Sequence, residues 1–124
     1  MSRRVVITGI GIYSCLGKNL EEVRDSLYAG KSGIIFDPVR KEMGFRSALT
    51  AGIEIPDLKK ELSRNQRVFM PEQAKYAYVA TTEALANAKL DQDYLDSHEV
   101  GIFYGNDSSA DAVEIGRASC RERV

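Results

Sequence analysis

At 124 residues the chain is long enough for one domain with a moderate core, and 44% hydrophobic with 28% charged residues is ordinary for a globular protein. Seventeen basic against eighteen acidic side chains leave a formal net charge of −1, which removes any bulk electrostatic case for nucleic acid or an anionic membrane surface. Apolar runs of a few residues are too short to span a membrane, the charges and glycines behind Arg3 and Arg4 do not make a signal peptide, and two cysteines make neither a disulfide framework nor a metal set. A reducing cytoplasm is the expected compartment.

The first element predicted is a strand over Val5–Thr8, a short β-branched run of the kind buried on both faces. Gly9 and Gly11 follow, removing side chains where the backbone leaves a sheet. A helix is expected behind Asn19, a good N-cap, with Glu22 three residues on completing a capping-box-like pattern and Glu21 suiting the positive helix end. Leu20, Val23 and Leu27 form its apolar stripe, and Gly30 is a natural C′ residue. Gly9-x-Gly11 also begins a dinucleotide fingerprint, but Ser14 stands where the third glycine belongs. The helix starts too late to present its N-terminus to a pyrophosphate there. Close packing is the preferred role of these glycines.

Residues 31–55 read as an irregular but apolar excursion, punctuated by Gly33, Pro38, Gly44 and Gly52, with extended pieces at Ile34–Phe36 and Phe45–Leu49. Pro56–Leu62 is expected to be a short helix. A long helix starts at Pro71 with Glu72 in its first turn, and Ala74, Ala77, Tyr78, Thr81, Leu85 and Ala88 recur at helical spacing. Such a small-residue face permits close packing on another element. Before it, Arg64 and Arg67 with Lys59 and Lys60 make a basic cluster, either a solvated face or a dock for an acidic partner. Asp91–Glu99 reads as a polar connection, and its His98, the one histidine of the chain, as a surface residue. Val100–Gly105 is a second predicted strand, parallel to the first through the helical crossover. Behind it, Asn106, Asp107, Ser108 and Ser109 lie where open α/β sheets build sites, or form an ordinary strand-to-helix turn.

The last ten residues, IGRASCRERV, break with the rest: three arginines and one glutamate without period of either kind. The same peptide is one reading frame of a high-throughput sequencing adapter. The natural coding sequence is therefore expected to stop near Val113, with residues 114–124 a non-native tail. Cys120, Arg117, Arg121 and Arg123 then carry no selected role.

Taken together, RRVVITGIGIYSCLG, the helix ending in LYAGKSGI, the Arg64–Met70 segment leading into an Ala-rich helix, and EVGIFYGND resemble the N-terminal portion of β-ketoacyl-acyl-carrier-protein synthases. These are condensing enzymes of the thiolase fold, and the GFRS segment looks like the type I branch. The resemblance covers residues 1–113 and implies an α/β chain that is an incomplete N-terminal half of a thiolase-like αβαβα layered fold. It implies an acyltransferase of fatty acid or related polyketide biosynthesis, homodimeric in its full-length form, with acyl carrier protein as partner and no cofactor or metal. The family's nucleophilic cysteine, its two catalytic histidines and their supporting lysine match nothing in this chain. Cys15 falls where the family is usually Ser or another small residue, and His98 lacks the glycine- and asparagine-containing contexts of the catalytic pair. No catalytic residue is expected here, and the chain alone is expected to be inactive. Asn106, Asp107, Ser108 and Ser109 correspond to the loop lining the acyl pocket, with Asn106 and Asp107 more polar than the usual glycines. Arg64 falls where the family docks acidic carrier protein, and Arg67 is one position out of register with its counterpart. Two other readings stand beside this one: a nucleotide-dependent oxidoreductase fragment, disfavoured by Ser14, and a non-catalytic carrier-protein-binding module. A partial core is expected to leave Val5–Ile7 and Val100–Tyr104 partly exposed, with unpaired strand edges.

Overall fold

The computed structural model describes residues 4–105. In chain order the elements are helix α1 (Leu20–Tyr28), strand β1 (Ile34–Phe36), helix α2 (Pro38–Glu42), strand β2 (Leu49–Ala51), and helices α3 (Arg64–Val68), α4 (Glu72–Ala88) and α5 (Gln92–Ser97).

Helix α1 forms where its caps predict. The Asn19 side chain accepts from the Glu22 N–H at 2.9 Å, satisfying one orphan donor of the first turn. The Glu22 carboxylate reaches back to the Lys18 N–H at 2.8 Å, one residue before the position a standard capping box would serve. Gly30 closes the helix at φ +62°, a left-handed conformation that costs glycine nothing. Of the expected stripe only Val23 is buried, at 5% exposure; Leu20 and Leu27 remain exposed. Ser26 takes the second buried place and donates its hydroxyl to the Leu16 carbonyl at 2.7 Å.

Helix α4 is the longest element, and Pro71 is its N-cap as expected. Its close-packing face is not the one the periodicity predicts. A Cβ added at Gly9 would lie 2.4 Å from the Ala84 carbonyl oxygen and 2.7 Å from Ala88 Cβ. One added at Gly11 would lie 1.8 Å from the Ala80 carbonyl oxygen. The glycine segment therefore lies directly on the Ala80–Ala84–Ala88 row, and of the predicted face only Ala88 belongs to it. Side chains of the same helix bind the backbone that runs beside them. Asn87 Oδ1 accepts from the Ile10 N–H at 3.2 Å, and Glu83 accepts from Ile12 at 2.9 Å and from Leu20 at 2.7 Å. Leu20 opens α1, so Glu83 also satisfies a free amide at that helix's N-terminus.

The predicted strands at Val5–Thr8 and Val100–Gly105 do not form, and no crossover joins them among the described residues. A strand persists through its ladder, and neither run has a hydrogen-bonding neighbour here. Both runs are exposed, Val5 at 94% and Phe103 completely. The sheet that does form is antiparallel β1–β2, in register Ile34↔Ala51, Ile35↔Thr50 and Phe36↔Leu49. Its first strand lies as expected; its second begins where Phe45–Leu49 was expected to end.

Three helical features depart from the expectation. Within the excursion, α2 is set by Asp37, whose carboxylate accepts from Val39 N–H at 2.9 Å, and by Pro38 in the first turn. Pro56–Leu62 is a single turn, with Leu58 O accepting from Glu61 and Leu62 at 3.2 and 2.9 Å. It stops there because Ser63 goes extended, at φ −61° and ψ 159°, to cap α3. Asp91–Glu99 is not merely a connection: Asp91 caps α5 by accepting from Tyr94 N–H at 2.9 Å. Alongside Val23, Leu58 is the other buried apolar residue, at 3% exposure, so the described core is small.

Candidate functional site

The basic cluster becomes a cleft. Ser63 and Gln66 form a full capping box, Gln66 Oε1 accepting from Ser63 N–H at 2.9 Å and Ser63 Oγ from Gln66 N–H at 3.4 Å. That box starts α3 at Arg64 and fixes both arginines on one short helix. Arg67 is half-buried and anchored through Nε to the Leu62 carbonyl at 3.1 Å, whereas Arg64 is exposed. Together with Lys75 from α4 they line an open cleft of about 380 Å³, whose other lining residues are Pro56, Asp57, Leu58 and Val68. The two arginines singled out by sequence thus share one cleft. Lys75 is the residue that sequence reasoning missed; it is the one basic side chain in α4, and that isolation was its only signal.

Asp57 is the anion of the cleft and is already engaged. It accepts from the Lys59 N–H at 3.1 Å and pairs with Lys59 Nζ at 3.5 Å. The Lys59 backbone bond holds its carboxyl below the ordinary range, against an opposing desolvation effect and with help from the Lys59 side chain and the Arg67 charge. The cleft is therefore lined by three cationic side chains and by the apolar Pro56, Leu58 and Val68, with its carboxylate engaged by Lys59. Chemically it suits an anionic group carried on an apolar stem.

Cys15 occupies a different setting. Ser14 and Gly17 pair through N–H to O bonds of 2.9 and 3.3 Å, making a tight turn around Cys15 and Leu16. The thiol packs against Gly33, where an added Cβ would lie 2.4 Å from the sulfur. The turn is held to the excursion by the Tyr13 hydroxyl donating to Glu54 O at 2.9 Å and by the Lys18–Glu54 ion pair, which raises the Lys18 pKa. Burial, with Glu72 and Tyr13 nearby, raises the Tyr76 pKa, and its ring stacks on Tyr13 at 5.8 Å. This is a packing role for a small loop residue. His98 stacks on Tyr94 at 4.0 Å on the exposed end of α5, so it shares no constellation with the cysteine. Among the described residues no group of three metal-ligating side chains comes together.

Gly9 and Gly11 face α4, so the turn that resembled a phosphate cradle is filled by helix backbone. Asn106, Asp107, Ser108 and Ser109, the acyl-pocket candidates, lie outside the described residues, as do Cys120 and the tail.

Residues 2–122 match the family model described as the β-ketoacyl synthase N-terminal domain. The chain is 41% identical over 111 residues to 3-oxoacyl-acyl-carrier-protein synthase 1 of Buchnera aphidicola, covering 86% of this chain and 26% of that protein. It is 41% identical over 103 residues to the protein of the same name in Haemophilus influenzae, covering 83% and 25%. A crystal structure of a β-ketoacyl synthase from Burkholderia phymatum superposes with a TM-score of 0.62 at 28% identity, over 76% of this chain and 23% of that one. The α/β, thiolase-like fold class expected from sequence is the one this neighbour has. The chain spans about a quarter of the length of the curated relatives it matches. It belongs to the β-ketoacyl synthase family, of which it carries N-terminal domain sequence.

Proposed function

We propose that this chain is the N-terminal part of a β-ketoacyl-acyl-carrier-protein synthase of fatty acid or related polyketide biosynthesis. The observation that carries the reading is the family match across residues 2–122, together with relatives named for that activity at 41% identity. In the reaction, a cysteine thiolate takes an acyl group from its carrier thioester. Malonyl-acyl carrier protein then loses carbon dioxide, its α-carbon attacks the acyl carbonyl, and the cysteine leaves as thiolate. The residues for that chemistry are not among those described, so this segment's part is architectural and recognitional.

Recognition is assigned to Arg64, with Arg67 as its weaker neighbour, as the docking surface for acidic carrier protein. Support comes from their shared cleft and its excess of positive charge. Asn106, Asp107, Ser108 and Ser109 are proposed to line the acyl pocket. A cytoplasmic homodimer is the proposed working form; among the described residues no helix is long and apolar enough to cross a membrane. Residues 114–124 are proposed to be translated adapter, although the family match runs on to residue 122. Codons departing from the adapter at several positions would remove that proposal.

The test is condensation by the full-length protein that carries this segment. Acyl- and malonyl-acyl carrier protein should yield carbon dioxide and a β-ketoacyl product, and the 124-residue chain alone should yield none. Loss of carbon dioxide without carbon–carbon bond formation, or no reaction with any acyl donor, would sink the assignment.

A further inference from the structure

We infer that Lys75 is a docking residue of this protein, completing with Arg64 and Arg67 a three-cation cleft that seats a carboxylate side chain of the acidic partner. The inference rests on the docking reading of Arg64 given above and adds to it a residue from a different element. Lys75 lies on α4, eight positions beyond Arg67, yet lines the same cavity of about 380 Å³. Its half-buried position places its stem in the cleft wall. The cleft's own carboxylate, Asp57, is bound by Lys59 through backbone and side chain. Among the described residues no carboxylate forms an ion pair with Arg64, Arg67 or Lys75.

Charge complementarity selects the occupant. Three cationic side chains line a space whose one carboxylate, Asp57, is engaged by Lys59, and Pro56, Leu58 and Val68 line the same space. A free inorganic anion would answer the three charges and make no contact of its own with the apolar lining. A glutamate or aspartate on a protein segment brings its own apolar stem and neighbours to cover it. Lys75 supplies a point charge from α4 to the cleft that Arg64 and Arg67 of α3, with their planar guanidinium groups, also line.

The experiment uses the full-length protein and acyl carrier protein, with binding measured by titration and KM for carrier-borne substrate measured beside kcat. Lys75→Glu is expected to weaken binding about tenfold, raise KM with kcat unchanged, and flatten the salt dependence of binding. Lys75→Arg should retain most of the affinity. Lys89→Glu, at the C-cap of the same helix and about 21 Å away at 1.5 Å per residue, is the control for net charge and should shift affinity less than threefold. If Arg64→Glu weakens binding while Lys75→Glu matches the Lys89→Glu control, the role of Lys75 is overturned and the docking reading survives. If neither Arg64→Glu nor Lys75→Glu changes binding, the docking reading itself fails. Should Lys75→Glu not fold, Lys75→Gln gives the same discrimination with a smaller step.

Discussion

Gly11→Ala tests the packing of the opening segment on α4 more sharply than any larger change. The new Cβ would stand 1.8 Å from the Ala80 carbonyl oxygen and 2.6 Å from the Ala84 nitrogen. To reach the 3.4 Å at which ordinary contact begins, the segment must retreat about 1.6 Å from the helix. Both obstructing atoms are backbone, so no side-chain rotation relieves the clash. Retreat would also stretch the Ile12 bond to Glu83, now 2.9 Å, and the Ile10 bond to Asn87, now 3.2 Å. Overpacking costs about 1–3 kcal/mol, and strained hydrogen bonds add to it, so roughly 3 kcal/mol is expected, a large part of a stability of about 5–15 kcal/mol. Urea unfolding of the full-length protein measures it. Gly105→Ala is the reference, since among the described residues nothing lies within 4 Å of that position. Gly30→Ala should fall between the two, costing about 1 kcal/mol for its left-handed backbone with no clash. An unfolding midpoint for Gly11→Ala equal to that of Gly105→Ala would refute the close approach. Ala80→Gly should not rescue Gly11→Ala, because the first atom struck is the carbonyl oxygen.

Glu83→Ala should cost about 1–2 kcal/mol by removing the acceptor of the Ile12 and Leu20 amides, the first part-buried and the second exposed. Hydrogen exchange should show both amides losing protection together; loss at only one would mean the carboxylate does not bridge them. Asp57, whose ordinary pKa is 3.8, titrates lower in the folded protein. Its stabilising contribution is therefore present above that value and is lost as pH falls through the depressed one. Asp57→Asn should remove this component, so the stability difference from wild type should shrink as pH is taken from 5 to below 3. A difference independent of pH across that interval would exclude the Lys59 interactions as its source.

What was legible in the chain follows the range of the forces involved. Asn19, Glu22 and Gly30 act within one helical turn of their own backbone, and α1 ends where they place it. The same local grammar was present, unread, in Asp37-Pro38 and in Asp91, which cap α2 and α5. Val5–Thr8 and Val100–Gly105 carry strong β-branched and aromatic signals, but strand formation needs a partner that no local pattern supplies. Helix α4 was legible in extent and not in facing. Alanines occur all round it, and which row is contacted depends on where Gly9 and Gly11 arrive from far away in sequence.

The candidate site divides along the same line. Arg64 and Arg67 were visible because a capping box, Ser63 with Gln66, keeps them on one short helix and near one another. Lys75 was not, because only the turn at Phe69–Pro71 and the start of α4 bring it to the arginines' cleft. Glu83 is a similar case: an acidic residue among alanines that proves to hold two distant amides. Both are charged side chains on α4, and Glu83 meets groups from outside that helix. A lone charge within a small-residue stripe costs packing and solvation unless something answers it. Glu83 has its answer in the Ile12 and Leu20 amides. Lys75 has no ion-pair partner among the described residues, and the Lys75→Glu titration against the Lys89→Glu control decides whether an acidic partner supplies one.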